Sequence, residues 1–125
     1  MKEIVIVLGF FVFMTSAVLS HGENVSRDKW ISGMQKDLKK SMCSKTSFFR
    51  KCFQVSQEQC NDVTARAIAR CVKELEGQIP VVIKDENTSN WGQKLGRCAG
   101  GAYEKELSSN AIQSDKCNTV PYWIE

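Results

Sequence analysis

The apolar residues of this chain recur mostly three and four positions apart, a period that predicts helices. Trp30, Ile31, Met34, Leu38 and Met42 form one such stripe, with Lys29, Lys36, Lys39 and Lys40 between them. A helix is expected from about Ser26 to Cys43. Ser26 is placed to cap it, and Asp28 lies in the first turn, where the helix dipole favours negative charge. The polar cluster Ser44 to Ser47 interrupts the pattern, and Phe48, Phe49, Cys52 and Phe53 make a short apolar second segment. Cys60, Val63, Ala67, Cys71 and Leu75 form the next long stripe, with Ile68 and Val72 beside it. Ser56, followed three residues later by Gln59, is a capping-box start, and Gly77 and Pro80 mark the end.

The run Ile79 to Ile83 is short, contains Pro80 and has no evident strand partner, so it reads as a buried extended connector. Asp85 to Asn90 reads as a polar turn. A fourth helix is expected from Ser89 or Asn90, carrying Trp91, Leu95, Cys98, Ala99 and Ala102, with Tyr103 to Leu107 as its continuation. Gly92, Gly96 and Gly100 fall on one ridge of it, and each costs a helix ~1 kcal/mol relative to alanine. Two readings stay open: another backbone packs closely on that ridge, or Gly100 and Gly101 end the helix. From Ser108 to Glu125 the pattern is irregular. The expected fold class is all-α, a small disulfide-stabilised bundle of about four helices with an irregular C-terminal tail.

The first residues break from this pattern. Lys2 gives a basic start, Ile4 to Val18 is an apolar run broken only by Gly9, Thr15 and Ser16, and Val18 and Ser20 precede His21. That layout is a secretory signal peptide, with cleavage expected before His21 and a cut after Ala17 also allowed. The run is shorter than the roughly 20 apolar residues of a spanning helix, so no stable membrane anchor is expected. Residues 1–20 are therefore read as the signal peptide and residues 21–125 as a single domain, located in the periplasm or secreted. The removed segment carries Lys2 and Glu3, so the formal charge stays at +3. That mild excess does not argue for nucleic acid.

All six cysteines, Cys43, Cys52, Cys60, Cys71, Cys98 and Cys117, lie beyond the signal segment. An even count in a short exported chain predicts a disulfide framework. Cys60 and Cys71 share one helix about 16 Å apart, too far to pair. If the chain turns back near Val55, Cys52 lies level with Cys60 and Cys43 with Cys71, leaving Cys98 for Cys117. This nested set, Cys43–Cys71, Cys52–Cys60 and Cys98–Cys117, is one of fifteen connectivities. Against it, nine residues on an unbroken helix would place Cys43 and Cys52 on opposite faces, so the break at Ser44 to Ser47 must rotate the second segment.

Catalytic constellations are hard to assemble from what remains. His21 is the sole histidine, the thiols are committed to bridges, and no redox Cys-x-x-Cys, phosphate loop or zinc helix occurs. No metal and no cofactor are expected; copper held by a terminal His21 would want a second imidazole. A carboxylate pair drawn from Glu74, Glu76, Asp85, Glu86, Glu104 and Glu106 would be needed for a muramidase-like hydrolase, against the plainer reading of solvated surface charges. The triplets beginning at Asn24 and Asn87 are glycan acceptor patterns only in a eukaryotic secretory pathway.

Binding chemistry is better represented. The stretch Lys36 to Lys51 holds six cations against only Asp37, including Lys36, Lys39 and Lys40. Trp91, Tyr122 and Trp123 are large aromatic groups outside the strongest stripes, of the kind enriched at interfaces. Solvated charge and capping of a small core are the competing structural roles. The expectation is a non-enzymatic exported binding protein, a periplasmic inhibitor or immunity protein that neutralises a toxic or hydrolytic enzyme. Its partner would be a protein, an acidic-surfaced effector or hydrolase. The alternatives are the small envelope hydrolase and a secreted carrier of an apolar ligand.

Overall fold

Ser26 and Ser56 begin two of the helices as their positions demand. A computed structural model describes residues 24–118. In it Ser26 caps α1 (Arg27–Met42), its side chain accepting from the Lys29 amide, and Ser56 caps α3 (Gln57–Leu75), accepting from the Gln59 amide. Between them Ser47 caps α2 (Phe48–Lys51), a single turn that accounts for the apolar second segment. The longest helix among the described residues is α4 (Asp85–Glu106), which closes on a 3-10 turn at Ser108–Asn110. The four-helix, disulfide-bonded architecture is the expected one.

Two sequence expectations fail between α3 and α4. The segment after Pro80 is a strand, β2 (Val82–Ile83), and its partner is β1 (Val25–Ser26), antiparallel in register Val25 with Ile83 and Ser26 with Val82. Only Ile79 and Ile83 of this stretch are buried, while Val81 and Val82 face outward. Two-residue strands carry no periodicity, so the pairing left no signal in the pattern. The expected polar turn from Asp85 to Asn90 is instead the first part of α4. Its polar residues suit a helix start: Asp85 and Glu86 lie where the dipole favours acid, and the Thr88 hydroxyl donates to the Asp85 carbonyl.

Of the two readings of the glycine ridge, the helix end fails, and close packing is not seen at Gly92 or Gly96, while Gly100 is buried. Helix α4 runs unbroken through Gly100 and Gly101. A Cβ on Gly96 or Gly101 would meet no neighbouring atom within 4 Å, and one on Gly92 would touch only Met34 Cε at 3.7 Å. Gly96→Ala and Gly101→Ala are therefore each expected to stabilise the protein by ~0.5–1 kcal/mol, because they remove freedom from the unfolded chain and clash with nothing. Urea unfolding checks this; a loss of stability at either position would mean that a neighbour packs there.

The disulfides correct the nested set. Cys43 bonds Cys60, Cys52 bonds Cys117 and Cys71 bonds Cys98, and among the described residues no cysteine is free. The physical reason is the break at Ser44 to Ser47. It makes α2 a separate turn rather than a second hairpin arm, so Cys43, at the end of α1, meets the first turn of α3 rather than its last. Cys71 is left to face α4. There Cys98 stands opposite it, because α3 and α4 are antiparallel: Arg66 pairs with Glu106 while Cys71 bonds Cys98.

The core lies where α2 meets α3 and α4. Tyr103 is fully buried at its centre, packed edge-on against Phe49 and Phe53 at centroid distances of 5.0 and 5.2 Å. Its hydroxyl donates to the Phe49 carbonyl at 2.8 Å. Thr64, also fully buried, lies 3.2 Å from Cys43 Sγ; with that sulfur in a disulfide, the hydroxyl is the donor. The segment after α4 is tied back by a bridge between Phe53 and Ala111, by the Ile112 amide donating to the Cys52 carbonyl, and by the Cys52–Cys117 bond.

Candidate functional site

The lysines of α1 divide between a cleft and open solvent. Ile31 and Met42 are buried, so at 100° per residue Ser32, Gln35, Lys36 and Lys39 come round to one flank of the helix and Lys40 to its outer side. That flank faces α3. Ser32, Gln35, Lys36 and Lys39 line one wall of a cleft of about 400 Å³, and Ala65 and Ile68 line the other. The cleft is apolar on the α3 side and carries two cations on the α1 side. All three lysines are exposed.

Trp91 sits elsewhere. It is half-buried against the core, early in α4, with Lys94 Nζ stacked 4.5 Å from its ring centroid. Its neighbour Gly92 approaches Met34, and Trp30 and Met34 occupy the flank of α1 opposite Lys36 and Lys39. The structure thus does not bring Trp91 and the α1 lysines onto one surface. Tyr122 and Trp123, like His21, lie outside the described residues.

The six carboxylates named from the sequence fall in three pairs, at the end of α3 and at the two ends of α4. Glu74 pairs with Arg70 one turn away, and Glu76 ends α3. Asp85 and Glu86 open α4, while Glu104 and Glu106 close it, about 27–32 Å farther along the axis at 1.5 Å per residue. Glycoside cleavage needs two carboxyls within about 5–9.5 Å on either side of the bond. Partial burial pushes the Glu104 carboxyl above the usual carboxylate range, whereas Glu106 points to Arg66. Among the described residues, no group of three or more His, Cys, Asp or Glu is placed to hold a metal ion.

A second concave surface was missed in the sequence reading. It runs along the seam of α3 and α4, where Arg66, Arg70 and Lys105 surround a small floor of Ala67 and Ala102 in a cleft of about 480 Å³. Arg66 and Arg70 stand four apart, the spacing of one helix face, and that was the available signal. Lys105 joins them only because α4 runs antiparallel to α3.

The family model described as "T2SS substrate NttA" matches residues 24–111. No curated protein and no solved structure matches the chain. No helix among the described residues is long and apolar enough to cross a membrane.

Proposed function

Because this chain belongs to the NttA family of type II secretion (T2SS) substrates, we propose that it is a secreted protein that acts by stoichiometric binding rather than by catalysis. Its export by way of the periplasm agrees with its chemistry, since that compartment oxidises thiols and three disulfides close this fold. An immunity protein in the strict sense stays with the producing cell. A secreted protein meets its partner outside, so the specific form of the proposal is an inhibitor of a toxic or hydrolytic enzyme encountered there.

One observation carries this reading: an open cleft with a cationic wall, Lys36 and Lys39, on a body whose helices are cross-linked to one another. A pre-ordered surface loses little entropy on association, and the lysines steer an acidic partner from a distance. Crosslinking the secreted protein to what it meets outside the cell, then titrating the purified partner, tests it. The expected result is a saturable one-to-one complex. Lys36→Glu with Lys39→Glu should slow association roughly tenfold at low salt, and less at high salt, where exposed charges are screened. Turnover of peptidoglycan by the purified protein, without such a complex, would replace this reading with that of a hydrolase. A co-purifying apolar ligand would replace it with that of a carrier.

A further inference from the structure

The seam between α3 and α4 carries opposite charge at its two ends. Toward the start of α3, Glu58, Asp62 and Glu106 line a cleft of about 470 Å³ together with the Ser56, Gln59 and Asn110 side chains. Toward its middle, Arg66, Arg70 and Lys105 line the adjoining cleft. Arg66 and Glu106 belong to both, so the two clefts adjoin along the seam, with that ion pair between an acidic side and a basic side; a segment that displaces the pair would lie in both as one groove.

We infer that this groove binds an extended polypeptide segment carrying basic residues at one end and acidic residues at the other. Length supports an extended chain. From Glu58 to Arg70 the groove runs about 18 Å along the helix, which five or six extended residues span at ~3.3 Å each. The residue types support a carboxylate at the basic end: Arg66 and Arg70, one turn apart, carry forked N–H donors that match it, Lys105 adds charge from the facing helix, and the Arg70–Glu74 pair is exposed enough for an incoming carboxylate to share the guanidinium.

The ion pair at the junction supports exchange of partners. Arg66 and Glu106 bridge the two helices with side chains 61% and 43% exposed, and such a pair contributes at most ~1 kcal/mol. An incoming carboxylate can take the guanidinium and an incoming ammonium can take Glu106, so little is lost on opening the bridge. An anionic membrane fits this surface less well. Glu58, Asp62 and Glu106 would face a uniformly negative sheet, and the large exposed apolar side chains among the described residues, Val81 just before β2 and Val82 on it, lie outside the groove. This inference deepens the binding reading by naming the chemistry of a partner segment, but it does not use the α1 lysines.

Two blocked hexapeptides of the same composition test it, one with charges in blocks (Lys-Lys-Gly-Gly-Glu-Glu) and one with charges mixed at both ends (Lys-Glu-Gly-Gly-Glu-Lys). Titrated into the isotopically labelled secreted protein at low salt, the block peptide is expected to bind at least about fivefold more tightly. It should shift the amide signals of Arg66, Ala102 and Lys105. Arg70→Glu with Lys105→Glu, both on exposed positions and checked for folding by circular dichroism, should remove that preference. Lys36→Glu with Lys39→Glu should keep it, so failure here is separable from failure of the α1 cleft. Equal affinity for the two peptides, no binding of either at millimolar concentration, or shifts confined to α1 would overturn the inference. So would binding to phosphatidylglycerol vesicles, lost in the Arg70 and Lys105 variant, in place of peptide binding.

Discussion

Tyr103→Ala is expected to destabilise the protein by ~3–5 kcal/mol, the loss seen when a large aromatic is removed from a core that cannot collapse around the gap. Tyr103 is fully buried, and Phe49 of α2 and Phe53 just beyond it pack edge-on against its ring. Tyr103→Phe keeps the ring and isolates the hydroxyl. It leaves the Phe49 carbonyl without its 2.8 Å donor, a loss of about 1–3 kcal/mol. The same group sets an alkaline limit. Burial pushes its pKa from 10.0 up to about 12, with the Arg50 charge acting in the opposite direction. The folded state therefore holds this proton more tightly than the unfolded chain. The stabilisation is complete below pH 10 and is lost as pH rises toward 12, at up to ~1.4 kcal/mol per pH unit. Urea unfolding of the wild type and of Tyr103→Phe at pH 8 and pH 11 reads both effects. A wild-type stability that falls no faster with pH than that of the phenylalanine variant would contradict the alkaline part.

Replacing Cys71 and Cys98 together by alanine is expected to cost about 3.5 kcal/mol, from the entropy of a closed loop of 27 residues. This bridge joins α3 to α4, the pair whose seam forms the proposed groove. Its removal should therefore lower the melting temperature and also weaken binding there. The Cys52–Cys117 bridge closes a longer loop of 65 residues, so loop length alone ranks its removal as the costlier. That bridge fastens the segment following the 3-10 turn rather than two helices. Without it the segment can leave while α3 and α4 stay packed, and the cost should be the smaller of the two. Calorimetry of both double variants decides between these orders.

What the sequence made legible follows from range. Serine caps, the α3 stripe and the break after Cys43 are local features, and each appears where the residues indicate. The bundle class and the disulfide framework follow from helical spacing and an even cysteine count. The pairing was not legible, because it depends on how far α2 turns away, and residues 44–56 carry no period from which to read a rotation. β1 and β2 were hidden for a similar reason: Val25 and Ile83 are far apart in sequence, and two residues are too few to alternate. In the α3–α4 groove Arg66 and Arg70 are neighbours by helical spacing, but Lys105 and Glu106 reach them only through antiparallel packing. The α1 lysines were visible as a run, yet their division into Lys36 and Lys39 at a cleft and Lys40 in solvent needed the position of α3.

Export, oxidation and a pre-ordered binding surface meet in the disulfide framework, so mass-spectrometric mapping of bridged peptides, on unreduced protein recovered from culture medium, is the most direct measurement. The predicted result is recovery from the medium with Cys43–Cys60, Cys52–Cys117 and Cys71–Cys98 linked and no free thiol. Retention in the periplasm, free cysteines, or the nested pairs Cys43–Cys71 and Cys52–Cys60 would contradict it.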